Sequence, residues 1–152
     1  MSVARHGAPN CLDAFVRGYV NAAMEHLGDR GRVRRITDID PDAMEELVNR
    51  AARFYDSKWH VIEEALRKYR EYESQRTADD TPIGTRNVKV NWELAGHDFY
   101  FTSNDLTDYF DHTEWFSPQR KILSDASYAF GDKYGHYSLS VASDGTVVGK
   151  RT

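Results

Sequence analysis

Between Asp42 and Asp80 the chain contains neither glycine nor proline, and its apolar residues recur at helical spacing: Met44, Leu47, Val48, Ala51, Phe54, Tyr55, Trp59, Ile62, Leu66 and Tyr69. Three- and four-residue steps put these side chains on one face of a helix. The start is well marked. Asp40 can cap, and Pro41 suits the first helical position because its missing N–H has no partner there. Asp42, Glu45 and Glu46 sit where the helix dipole favours negative charge. Ile39 and Met44 are placed for a hydrophobic staple across that start. From Pro41 to Glu73 such a helix is about 50 Å long. It is expected either to kink near Asp56–Ser57 or to project and pack against a second copy, which predicts a homodimer through this helix.

The remaining elements follow from shorter patterns. Leu12, Phe15, Val16, Tyr19, Val20, Ala23 and Leu27 predict an amphipathic helix, capped by Asn10 and stopped by Gly28. Ser74 to Arg86 is polar and holds Pro82 and Gly84, so a mobile linker is expected at about 74–87. Val88, Val90 and Trp92 alternate with polar residues, which reads as a short strand. His97 to Thr102 reads as a better strand. Ser103 to Phe116 reads as an irregular acidic loop. Ser117–Pro118 opens a further helix with Ile122, Leu123, Ala126, Ala129 and Phe130 inward, ending at Gly131 or Gly135. Tyr137, Leu139 and Val141 alternate, Asp144–Gly145 signals a two-residue hairpin turn, and Val147–Val148 returns. Together these predict one α+β domain over residues 1–152. Long N-terminal helices pack with a small C-terminal antiparallel sheet and one further helix.

Composition narrows the function classes. At 152 residues with 40% hydrophobic content the chain can bury a core. A net charge of −4 has the wrong sign for coating phosphate non-specifically. Cys11 is the only cysteine, so no internal disulfide forms and a reducing compartment is favoured. No run approaches the roughly 18 apolar residues of a membrane span, and a cytoplasmic protein is expected.

No Walker loop, GxSxG, HExxH or dinucleotide glycine fingerprint is present, so neither an enzyme nor a cofactor is expected. Three constellations remain. The acidic loop threads aromatic residues through its carboxylates, and Asp105, Asp108, Tyr109, Phe110, Asp111 and Trp115 form a candidate partner surface. Arg30, Arg32, Arg34 and Arg35 cluster in the loop after Gly28. Guanidinium forks grip anions bidentately, so these four are the candidate contact for nucleic acid, an alternative the overall charge does not favour. His97, Asp98, Asp105, Asp108, Asp111 and His112 supply oxygen and imidazole donors of the kind metals take. They define a second alternative, a metal-dependent hydrolase. The spacing lacks the alternating acids and glycine of an EF-hand loop, and a solvated acidic loop is the default.

The run Ala95-Gly96-His97-Asp98-Phe99-Tyr100-Phe101-Thr102-Ser103-Asn104, then a helix, then Tyr137 to Val141 and Asp144–Gly145, resembles a family of small bacteriophage proteins. Those carry an "AGHDFWLTRN" segment and a C-terminal Asp-Gly hairpin. Phe15 to Tyr19 and Thr37 to Pro41 resemble the first two helices of that family, while residues 67–91 do not. The family's glycine-rich loop is replaced here by Asp105 to Asp111, so a role tied to those glycines does not carry over. The resemblance makes a helix end or loop an equal reading for the segment from Val88 to Trp92, and it implies a phage origin and an accessory role without a known reaction. The function expected is a phage-encoded accessory protein that binds a host or phage protein in the host cytoplasm, in counter-defence or host takeover.

Overall fold

In the computed structural model, which describes residues 9–28, 35–76, 86 and 88–152, the long apolar stripe forms one uninterrupted helix. It is preceded by helix α1 (Pro9–Leu27) and a 3-10 turn at Ile36–Asp38. Helix α2 spans Pro41–Gln75, 35 residues and about 52 Å. The Asp40 carboxylate accepts from the amides of Asp42 and Ala43 at 3.1 and 3.3 Å, so the cap forms as the sequence predicts. The helix continues through Asp56–Ser57 without a break in its secondary structure. Leu47, Ala51, Phe54, Tyr55, Ile62, Leu66 and Tyr69 of its stripe are buried within the chain itself. Met44, Val48 and Trp59 of the same stripe stay half-buried, and Met44 and Val48 line an apolar groove with Leu12, Val16, Val20 and Ile36 of the preceding segments.

Helix α3 covers Trp92–Ser103, and α4 covers Gln119–Tyr134. Strands β1 (Tyr137–Val141) and β2 (Val147–Arg151) pair antiparallel, Tyr137 opposite Arg151 and Val141 opposite Val147. This is the predicted α+β arrangement, with one correction of substance. His97 to Thr102 is not a strand; it is the body of α3. Aromatic residues favour strands, but that preference mostly reflects packing on a half-buried surface. Here Ala95, Gly96 and every residue from Asp98 to Ser103 are buried, because α3 is wedged among α1, α2 and α4. The Asn91 side chain accepts from the Leu94 amide at 2.8 Å and starts the helix at Trp92. Residues 88–90 form no strand.

Two glycines make the wedge fit. A Cβ on Gly18 of α1 would overlap the backbone carbonyl of Glu93, and one on Gly96 of α3 would overlap the backbone of Phe15 and Tyr19. The two helices touch backbone to backbone. Behind that contact the rings interlock: Phe54 stacks on Phe99 at 3.9 Å, Tyr19 on Phe99 at 5.4 Å, and Phe130 meets Phe99 edge-on at 5.1 Å.

Several boundaries shift. Asn10 lies inside α1 and Gly28 ends it with φ +62°, the left-handed conformation glycine permits. On α4 the inward residues are Leu123, Ser127 and Phe130, whereas Ile122 and Ala129 face outward. The hairpin loop is one residue longer than predicted. The Ala142 amide bonds the Thr146 carbonyl at 2.8 Å, leaving Ser143, Asp144 and Gly145 between the strands. Only Gly145 has positive φ, +91°, as in a three-residue loop with a glycine bulge.

Buried polar groups tie the layers together. Arg50 of α2 donates to the carbonyls of Tyr134 and Gly135 at 3.3 and 2.6 Å, satisfying the C-terminal end of α4. It also donates to the Tyr19 hydroxyl at 3.3 Å. Asn104 bonds the Tyr100 carbonyl and accepts from the Tyr137 amide at 2.8 Å, joining the end of α3 to β1. The Asp40 amide donates to the Val147 carbonyl at 2.7 Å and fixes the hairpin to the start of α2.

Candidate functional site

Among the described residues, a cluster of charged side chains is built around Asp98. A helix turns about 100° per residue, so the adjacent His97 and Asp98 point in different directions. Asp98 faces the interior and is fully buried. The Trp115 indole N–H donates to its Oδ2 at 2.7 Å. His97 Nδ1 lies 2.9 Å from Oδ1. Arg86, from the segment ahead of α3, donates both terminal N–H groups to Asp98, at 3.0 and 2.8 Å. Its Nε donates to Glu114, which is also buried. The Tyr109 ring covers the guanidinium at 4.7 Å.

His97 bridges from this centre to α1, where Glu25 approaches its Nε2 at 3.3 Å. The close α1–α3 contact through Gly18 and Gly96 is what brings these residues together. Burial alone would lower the His97 pKa; the hydrogen bond and charge of Asp98, helped by Glu25, outweigh it and raise the value above the ordinary 6.5. Burial also opposes the charge on Arg86, and its bonds to Asp98 and Glu114 reverse that effect, so the guanidinium stays charged.

This arrangement redistributes the residues singled out from sequence. Phe110 and Trp115, expected on a partner surface, are completely buried, where their rings meet at 5.1 Å. Tyr109 is half-buried, its ring among Arg86, His97, Phe101 and His112. Asp105 and Asp111 are exposed and Asp108 is half-buried. Asp108 accepts from the Ser124 hydroxyl at 2.6 Å and from the Asp111 amide.

The six residues offered as metal donors do not gather around one point. Asp98 is engaged by Arg86, Trp115 and His97, and no group of three or more metal-donor residues forms among the described residues. Arg30, Arg32 and Arg34 lie outside the described residues, as does most of the linker expected at 74–87. Arg35 is exposed, its amide bonded to the Asp38 carboxylate at 2.7 Å.

A second surface emerges where the acidic loop meets α4. Tyr128 of α4 and Leu106 of the loop are large, apolar and exposed, by 37% and 44%. Burial, then the charges of Asp108, Asp105 and Asp111, raise the Tyr128 pKa, which places its phenol in the field of all three aspartates. None of the three forms a salt bridge among the described residues. Of the residues named from the sequence for a partner surface, Asp105 and Asp111 are exposed, while Phe110 and Trp115 are in the core. Tyr128 sits on a helix outside the loop and carried no local signal; Arg86 was hidden in the segment read as linker.

No protein-family model matches the chain, nor does any curated protein or solved structure.

Proposed function

We propose that this protein is a bacteriophage accessory protein that acts by binding another protein in the host cytoplasm, without catalysing a reaction. The observation that carries the reading is the surface formed by Asp105, Leu106, Asp108, Asp111 and Tyr128. Asp105, Asp108 and Asp111 have no salt-bridge partners among the described residues, Leu106 follows Asp105 in the chain, and the charge of all three acids acts on the exposed Tyr128. An apolar centre with a charged rim is the anatomy of a protein interface. The sign of the rim selects a partner with a basic patch.

The test is affinity capture from bacterial lysate with the native protein and with the variant D105N/D111N/L106A. Asn tolerates the left-handed backbone of Asp105 (φ 58°), so the fold should persist. The expected result is a stoichiometric protein retained by the native chain, released by salt, and lost with the variant. A partner retained equally by both would overturn the surface, and nucleic acid recovered in place of protein would overturn the class of partner.

A further inference from the structure

We propose that Asp98, Glu114 and Tyr109 form a receptor for a guanidinium group, which Arg86 fills in the free protein and which an arginine of a basic partner occupies in the complex. The second half rests on the protein-binding reading above; the receptor itself does not.

The geometry is that of a guanidinium site. Two parallel N–H groups meet the two oxygens of Asp98, the third edge meets Glu114, and the flat face lies on the Tyr109 ring. Bidentate contact combined with ring stacking suits a planar fork and not an ammonium point charge. The acids do not depend on Arg86 for their placement. Asp98 is fixed by α3, by the Trp115 indole and by His97. Glu114 belongs to the loop after α3, beside the buried Trp115. Arg86 comes from none of the helices.

Charge points the same way. Two buried carboxylates face one guanidinium, and Oε1 of Glu114 has no hydrogen-bond partner although it is buried. The Arg86 side chain keeps 14% of its surface exposed, whereas both acids keep essentially none. The site therefore opens to solvent on the side from which the cation enters. Tyr109 lies between Asp108 and Phe110, so the mouth adjoins the acidic surface. A basic segment lying along Asp105, Asp108 and Asp111 would present its arginine there.

The test empties the receptor with Arg86→Ala and titrates millimolar methylguanidinium, with methylammonium at equal ionic strength as control. Thermal unfolding is followed by tryptophan fluorescence. The expected result is a saturable rise of several degrees in Tm for R86A with methylguanidinium only. The native protein and R86A/D98N should show no such rise. No rise, or an equal rise with methylammonium, would overturn the receptor. If R86A does not fold alone, refolding in each salt is read by circular dichroism, and recovery with neither or with both overturns it.

Hexa-arginine and hexa-lysine peptides then address the partner. R86A should bind the arginine peptide about tenfold tighter than the lysine peptide, with a smaller ratio for the native chain. Equal binding of both peptides would overturn the arginine preference while leaving the acidic surface standing. Binding of neither peptide, with methylguanidinium rescue intact, would overturn the partner half of the proposal.

Discussion

Replacing Gly96 by alanine should destabilise this protein, although the same change at an exposed helical site stabilises by about 1 kcal/mol. The reason is the α1–α3 contact. The new methyl group would overlap the Phe15 carbonyl and the Tyr19 amide, both backbone atoms that no rotamer change can move aside. The helices must part. Parting them loosens the ring contacts of Phe15 and Tyr19 with Phe99, at 6.0 and 5.4 Å, and of Tyr19 with Tyr100 at 5.3 Å. Overpacking costs about 1–3 kcal/mol, and each aromatic pair is worth about 0.5–1.5 kcal/mol beyond its burial. With the propensity gain set against these, the net loss is about 3 kcal/mol. Urea unfolding, followed by circular dichroism and fluorescence, measures it. Gly18→Ala should act in the same direction, and the double variant should lose less than the two single losses together, because one separation relieves both clashes. A denaturation midpoint for G96A equal to or above the native value would refute the close-contact reasoning.

Three further outcomes are expected. Asp40→Ala removes the cap of α2 and should cost about 1 kcal/mol in urea unfolding. Arg50→Ala leaves the carbonyls of Tyr134 and Gly135 without their donor inside the core and should cost about 3 kcal/mol, with Arg50→Lys recovering only part. The folded pKa of His97 lies above its unfolded value of 6.5, so the folded state holds the proton more tightly. The stability this contributes is fully present below about pH 6.5 and is lost as pH rises through the folded value. His97→Gln should flatten that decline in unfolding free energy measured across this range, and an unchanged slope would argue against the Glu25–His97–Asp98 bridge.

What the sequence disclosed depended on whether a signal was local. The start of α2 is written within four residues, Asp40 to Ala43, and it formed as read. Gly28 and Gly145 both mark positive φ, which no neighbour needs to explain. The hairpin loop was misjudged by one residue because Asp-Gly serves both two- and three-residue loops, and the choice between them is made by the pairing of Ala142 with Thr146. The run from His97 to Thr102 failed for a deeper reason. A segment buried on all sides loses the polar alternation by which a helix is told from a strand. The distinguishing mark, Asn91 followed by Glu93 in the first turn, lay outside the run itself.

The same logic explains why the site was half legible. Carboxylates in the acidic loop announce themselves by composition, but composition does not say which of them turn inward. Glu114 and Asp98 are buried, and the cation that meets them, Arg86, comes from a different part of the chain, twenty-eight and twelve residues away. Removing one partner of such a pair would strand a charge in the interior at a cost of about 3–5 kcal/mol. Asp105 and Asp111 remain outside, and no salt bridge engages them among the described residues. Among the described residues, the inward acids are the ones a guanidinium reaches. Inward acids hold a guanidinium against Tyr109, and the outward Asp105 and Asp111 stay exposed in the same loop as Leu106. Both halves carry negative charge, and the arginine-bearing partner proposed above would meet them together.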